Sequence, residues 1–254
     1  MNTLITVTII TKNAGATLER CLNSVSWANE IIVIDSGSTD NTLQIAKNLA
    51  HRVEYHEWLG YGMQKRHAVN LATHNWILSI DADEWLSEKL TISIQNLLRN
   101  DPKHPGYIFN RCNYFMGHWI RYGEGYPDPH LRLFNRLYGN WQDLPVHEQV
   151  IITGTTGKLA GDLLHDSASS LEEYLIKQNH YTHTQAKLLW QKGQRVTLLH
   201  LILRPLWRFI RLYILRLGFL DGIPGLVHIS IGCFNTLIKY AKLYELQTNN
   251  KNKS

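Results

Sequence analysis

Cysteine is scarce. Cys21, Cys112 and Cys233 are the only three and lie far apart. An odd, scattered set gives neither a disulfide framework nor a zinc site, and it fits a reducing compartment. A secretory signal is not expected either: the first Lys or Arg is Lys12, and no basic flank or small-residue cleavage site precedes it. Long apolar runs are missing too. The longest stretches without Lys, Arg, Asp or Glu are broken by Gly or Pro, so no clean membrane span of ~20 apolar residues is expected. Acid is absent from residues 174–220, where eight Lys and Arg residues lie. The net charge of +5 therefore leaves −3 for the rest of the chain. That asymmetry points to an anionic partner for the C-terminal part.

What is present is enough for a core. Of 254 residues, 44% are hydrophobic and 19% charged, which excludes a disordered chain. The first hundred residues alternate strand and helix signals. Residues 4–11 (LITVTIIT) form a β-branched run, and 30–35 (EIIVID) and 76–80 (WILSI) are buried strands. A weaker strand is predicted over 51–56. Leu18, Cys21, Leu22 and Val25 at helical spacing predict a helix opened by Thr17. Further helices are predicted over 39–50, 62–73 and 87–99. Such alternation means an α/β fold with a mostly parallel, nucleotide-binding type of sheet flanked by helices.

Beyond residue 100 the pattern changes. Residues 101–166 are dense in Gly, Pro, Tyr and Trp and read as loop-rich, with short strands at 106–111 and 131–134. Ser170 to Glu173 forms a capping box opening a helix to about Lys192. A basic apolar helix is predicted over 195–217, broken by Gly222, Pro224 and Gly225. A last helix follows over 226–246, and the tail from Thr248 is predicted to be disordered. The expected division is 1–100, 101–192, 193–247 and 248–254. No internal repeat is present.

Ligands of open parallel sheets bind beyond the carboxyl ends of the strands. Those ends carry Thr11-Lys12-Asn13, then Asp35-Ser36-Gly37-Ser38-Thr39-Asp40, then Asp81-Ala82-Asp83-Glu84. Two carboxylates two residues apart after a buried strand suit Mg²⁺ or Mn²⁺, which complete their shells with water and substrate phosphates. The 35–40 segment offers a polar rim for a nucleoside, with Gly37 allowing close backbone approach and Asp40 or Ser38 capping a helix. Gln64-Lys65-Arg66 with Asn70 places cations and an amide on one helix turn, where Lys65 or Arg66 could hold a diphosphate.

On these residues the chain resembles family 2 glycosyltransferases of GT-A fold. The matching pieces are Thr11-Lys12-Asn13, IVIDSGSTDNT from Ile32 and LSIDADEW from Leu78, in the family's order and spacing. The resemblance implies a UDP-sugar donor, a divalent metal on Asp83 with Asp81 beside it, and inversion at the anomeric carbon. Many members carry Asp where this chain has Ser36, so uridine recognition would rest on Asp35, Asp40 and Arg66, with Thr11 and Asn13 on the same rim. PDPHLRLF from Pro127, PVHEQV from Pro145, LRLGFLDGIPG from Leu215 and KYAKLYE from Lys239 resemble the lipopolysaccharide inner-core β-1,4-glucosyltransferases. That implies transfer of glucose from UDP-glucose to a heptose. The Gln-x-x-Arg-Trp signature of processive synthases is absent, so a single, non-processive transfer is expected. Alternatives are a relative using another UDP-sugar or glycolipid, and an inactive membrane-associated carbohydrate-binding relative.

The resemblance also implies an acidic base in the second half. Glu148 is the first choice, Asp128 the second, with Asp143 and Asp162 behind them. His147 and Arg132 are the expected acceptor contacts, Arg132 being equally readable as structural. Trp207, Phe209, Leu212, Tyr213 and Leu215 among Arg204, Arg208, Arg211 and Arg216 suit a membrane interface. The expected setting is cytoplasmic and peripheral on the inner face of the bacterial inner membrane, acting on a lipid-anchored core oligosaccharide. The other reading of this segment is a helical pair packed on the catalytic domain. No nucleic-acid module is visible.

Overall fold

In the computed structural model, which describes residues 3–142, 148–166 and 170–251, β1 (Ile5–Thr11) is buried at every position. β2 (Glu30–Asp35) is buried at all but its first. Strands covered on both faces read as unbroken apolar runs, which is why these two stand out in the sequence. Between and after them come α1 (Leu18–Ser24), α2 (Thr42–Leu49), β3 (Arg52–Tyr55), α3 (Tyr61–Leu71) and β4 (Trp76–Asp81). β1 pairs in parallel with β2 on one side and β4 on the other, and β3 adds to β2. Parallel neighbours require crossover connections, and the helices supply them.

The period of two along each strand sorts the side chains into two layers. Ile5, Val7, Ile9, Val33 and Leu78 pack with Leu18, Cys21 and Leu22 of α1. Ile32, Ile34 and Ile77 pack with Ala68 and Val69 of α3. Each such fully buried aliphatic side chain stabilises the fold by about 1.5–3 kcal/mol. The carboxyl ends of β1, β2 and β4 lie side by side as a result, since Thr11 pairs with Asp35 and Ile10 with Asp81.

The expectation of a loop-rich stretch over 101–166 is corrected, while the strands expected at 106–111 and 131–134 are present within longer ones. After β5 (Glu84–Leu86) and α4 (Glu88–Arg99), that stretch forms β6 (Gly106–Phe115), β7 (His118–Trp119), β8 (Asp128–Asn135), β9 (Gly139–Gln142), β10 (Gln149–Ile152) and β11 (Thr156–His165). β8, β6, β11 and β5 continue the sheet past β4, giving the order β3-β2-β1-β4-β8-β6-β11-β5. β8 runs antiparallel to both β4 and β6, and β9 with β10 forms a separate antiparallel pair. Ser87 caps α4, its Oγ accepting from the Leu90 N–H at 3.3 Å. Gly161 in β11 sits at φ +103°, and a Cβ there would strike the Leu90 backbone. Only glycine lets the strand pass under that helix.

Two compact units result. One comprises Met1–Cys112 with Asp128–Asp166, the other Asn113–Pro127 with Ser167–Ser254. The first holds the sheet.

In the second, α5 (Leu171–Gln191) starts at Ser170, whose Oγ accepts from the Glu173 N–H at 3.1 Å, as the capping box predicts. α6 (Leu198–Phe209) passes into a π-helical turn, Ile210–Leu215. The break falls at Leu217, held at φ +56°, and at the 3-10 turn Gly218–Asp221. α7 (Gly222–Lys251) then begins at the Gly-Pro-Gly segment that the sequence marked as the breaker. Pro224 lies in its first turn, where a missing N–H costs nothing. α7 also runs on through residues 248–251. Buried Ala186, Tyr240 and Leu243 join α5 to α7. The Asp221 carboxylate accepts from the Arg121 and Tyr122 N–H groups at 2.9–3.1 Å. Among the described residues no single helix is long and apolar enough to cross a membrane. Residues 198–215 and 218–249 meet that test only as a pair bent by 75°.

Candidate functional site

The rim built by the ends of β1 and β2 is tied together by its own polar groups. Asp35 Oδ1 accepts from the N–H groups of Gly37 and Ser38 at 2.9 Å each, and the Ser38 hydroxyl donates to Oδ2. Asp35 is 1% exposed, so its carboxylate shapes the turn. Gly37 takes φ +89°, a conformation L side chains rarely adopt. Asn13 bridges the two loops, its N–H donating to Ser38 Oγ and its Oδ1 accepting from the Thr39 N–H, both at 2.8 Å. Asp40 accepts from Gly15 N–H at 3.1 Å and Thr42 N–H at 3.0 Å, at the start of α2. Its carboxyl is held below the usual range, chiefly by the Thr42 hydrogen bond. Ser36 Oγ accepts from Gln64 Nε2 at 3.0 Å. The Thr11 hydroxyl and Gln64 Oε1 are buried and have no partner among the described residues.

α3 turns Gln64 and Lys65 inward and Arg66 to solvent. Successive residues are about 100° apart on a helix, so the two cations cannot share a face. Arg66, expected to read the donor, is therefore the solvent-facing cation of the pair. Lys65 is 1% exposed. Its Nζ lies 2.9 Å from Asp81 Oδ1 and 2.8 Å from Glu148 Oε1, and it sits over the Trp141 ring at 4.7 Å. Arg132 on β8 approaches the same carboxylate, with Nη2 3.0 Å from Asp81 Oδ2 and 3.2 Å from Glu84 Oε1. Its guanidinium lies 5.2 Å from the Trp141 ring centre. Trp141 is fixed by its own indole N–H, which donates to Ser79 Oγ at 3.1 Å.

These contacts set the charge states. Burial alone would raise the Asp81 carboxyl, but Lys65 and Arg132 drive it far below the ordinary range. Burial alone would lower Arg132, but Glu84, Asp81 and Glu148 raise it above its usual value. Both stay ionised. The Arg132 Nε and Nη1 groups are buried and find no acceptor among the described residues. Arg132, at 4% exposure, is a clamp on the site's carboxylates, as the structural one of its two expected readings has it.

Asp83, two residues past the end of β4, keeps a side chain 34% exposed. Its Oδ2 lies 3.5 Å from Nε2 of His165, the last residue of β11. One carboxylate and one imidazole at the sheet edge are a donor pair that Mn²⁺ or Mg²⁺ accepts, and such ions take their remaining ligands from water and phosphate. Among the described residues no group of three or more His, Cys, Asp or Glu converges on one point. Asp81 is a poor second ligand because two cations already hold its carboxylate. The donor pair left open is thus Asp83 with His165, while Asp81, expected beside Asp83 at the metal, is engaged by Lys65 and Arg132.

Asp128, the second candidate base, is held by Arg111 Nε and Nη2 and by His130 Nε2, each at 3.0 Å. Burial pushes its carboxyl up, but the His130 hydrogen bond and the Arg111 charge prevail and hold it at about 2. A carboxyl held that low by His130 and Arg111 is a weak proton acceptor. Asp162 donates its N–H to Ser87 Oγ at 3.0 Å and belongs to the α4 cap. His147 and Asp143 lie outside the described residues.

Sequence reasoning missed Arg111, Trp141 and His165, and gave no role to Glu84 among the strand-end acids. Glu84 is 0% exposed and accepts from the Asp81 N–H at 2.9 Å, so it braces the turn that carries Asp81 and Asp83. The signal was there: a third acid directly after Asp-x-Asp and inside an apolar strand. His165 had none, since it comes from a strand more than eighty residues away.

A protein-family model described as glycosyl transferase family 2 matches residues 6–152. The chain is 31% identical to an uncharacterised glycosyltransferase of Rickettsia prowazekii, over 96% of this chain and 88% of that one. It is 30% identical to the lipopolysaccharide core biosynthesis glycosyltransferase LpsC of Rhizobium meliloti, over 93% and 90%. Among solved structures it is similar to S. aureus TarS 1-349 in complex with UDP-GlcNAc, at 14% identity and a TM-score of 0.49, over 98% of this chain and 92% of that one.

Proposed function

The chain belongs to glycosyl transferase family 2, and from that premise we propose that it transfers glucose from UDP-glucose to a heptose of the lipopolysaccharide or lipooligosaccharide inner core. The transfer is single and inverting and makes a β-1,4 bond. It takes place on the cytoplasmic face of the inner membrane, where the acceptor is lipid-anchored. Likeness to LpsC along nearly the whole chain supports the acceptor class. The observation that carries the chemistry is the division of labour after β4: Asp81 is locked between Lys65 and Arg132, while Asp83 stands open beside His165.

The donor's nucleoside would lie along the Thr11–Asn13 and Asp35–Asp40 rim, where the unpartnered Thr11 hydroxyl and Gln64 Oε1 offer hydrogen bonds. Asp83 and His165 would hold Mg²⁺ or Mn²⁺, which when bound neutralises charge gathering on the departing diphosphate. Lys65 and Arg132, both nearly fully buried and set against the Trp141 ring, add fixed positive charge. Glu148 accepts the proton of the attacking heptose hydroxyl. Lys65 fixes Glu148 through Oε1, which leaves Oε2 for that proton. Inversion follows when the hydroxyl attacks opposite the diphosphate.

The test is a donor screen on purified truncated lipopolysaccharide with Mg²⁺ or Mn²⁺, the product linkage being read by NMR. UDP release confined to UDP-glucose, with a new β-1,4 bond on heptose, is the expected result. Transfer from another UDP-sugar, or no UDP release with any donor, would overturn the reading.

A further inference from the structure

α6 is amphipathic the wrong way round for a helix facing water. Leu198, Leu199, Ile202, Leu203, Leu206 and Trp207 are each more than half exposed, and no residue of the helix is buried. At about 100° per residue they fill one half of its circumference. Arg204 and Arg208 lie on the other half and are used within the protein. Arg208 pairs with Glu124 and donates from Nη1 to Thr236 Oγ1 at 2.7 Å. Arg204 lies over the Tyr240 ring at 5.0 Å and donates to its hydroxyl. The elbow that follows exposes Leu217, Phe219, Leu220 and Ile223 as well. Monomeric proteins in water rarely leave so continuous an apolar surface uncovered.

Charge decides what covers it. Residues 174–244 contain ten Lys and Arg and a single acid, Asp221. Asp221 is 3% exposed and is consumed by the Arg121 and Tyr122 N–H groups. Every solvent-facing formal charge on this stretch is therefore positive. A second copy meeting it through the same face would set like charge against like, whereas an anionic lipid surface is complementary. No single helix here is long and apolar enough to cross a bilayer.

We propose that the outward arc of α6 and the elbow at residues 217–223 insert in plane into an anionic phospholipid surface, with Arg204 and Arg208 bracing the helix from behind. The inference rests on the membrane location proposed above and on none of the transfer chemistry. It also revises the sequence-based picture, in which these two arginines were part of the membrane interface.

The test is flotation of the full chain with vesicles of phosphatidylethanolamine and phosphatidylglycerol, against neutral phosphatidylcholine vesicles. Wild type should float with the anionic vesicles. A Leu199→Ser, Ile202→Ser, Leu206→Ser variant should bind them roughly a hundredfold more weakly. Its circular dichroism and its UDP release from UDP-glucose in solution should be unchanged. Flotation of that variant equal to wild type would overturn the inference while leaving the membrane location standing. So would a dimeric wild type whose triple variant is monomeric by light scattering, since a second copy would then cover the face. Failure of wild type to float would overturn both the location and the inference, and the transfer assay would still report on the enzyme separately.

Discussion

Glu148 Oε1 sits 2.8 Å from Lys65 Nζ, so the proposed base is held by a cation that is itself 1% exposed. The same ammonium touches Asp81. One lysine thereby links the strand that ends at the proposed metal-binding turn to the proposed base.

Lys65→Met keeps the side-chain volume and removes that link. Breaking a buried ion pair costs about 3–5 kcal/mol. Here Asp81 retains Arg132 and both carboxylates are partly exposed, so a loss of about 2–3 kcal/mol is expected. Urea denaturation measures it. A midpoint equal to wild type would show that Lys65 does not bear on stability.

Glu148→Gln removes the proton acceptor and keeps the shape. Turnover should fall by about 10²–10⁴-fold while affinity for UDP-glucose, read by calorimetry, stays within about twofold. Asp128→Asn should instead keep turnover within about tenfold, because its carboxylate is committed to Arg111 and His130. Reversal of the two phenotypes would move the base to Asp128.

Asp83→Asn and His165→Ala should each abolish the rise in melting temperature that Mn²⁺ with UDP gives wild type. Neither should unfold the apo protein, since Asp83 is 34% exposed and His165 ends its strand. An unaltered Mn²⁺ response in both variants would remove this pair from metal binding.

Acid should weaken the fold through Asp128. Its carboxyl titrates at about 2 in the folded chain, against about 3.9 for an unperturbed Asp. The folded value is the lower, so this stabilisation is complete above about pH 4 and is lost as pH falls toward about 2. With the side chain nearly a third exposed, the contribution is about 1–2 kcal/mol after screening. Comparing urea midpoints at neutral pH and near pH 3 measures it, and Asp128→Asn should flatten the difference. An equal acid dependence in that variant would assign the effect elsewhere.

β1, β2 and β4 were readable because both of their faces are buried, so burial appears directly as consecutive apolar residues. β11 was not readable: its exposed and half-buried positions alternate, and Gly161 at its middle reads as a turn. The strand-end acids were visible in the sequence as a group. Their partners were not, because the identity of a carboxylate's cation depends on which distant strand lands beside it. Arg132 reaches Asp81 only because β8 pairs antiparallel with β4. The α6 arginines teach the same lesson, since composition reports how many charges a helix carries and says nothing about which side meets protein.

The family match stops at residue 152, and β11 begins at Thr156. That strand lies between β6 and β5 in the sheet and ends in His165. A shortened form trimmed to the profile boundary would strip β5 of its neighbour, leave two raw sheet edges prone to pairing between molecules, and delete the imidazole beside Asp83. Fragments made for crystallisation or binding assays should therefore retain the chain beyond His165.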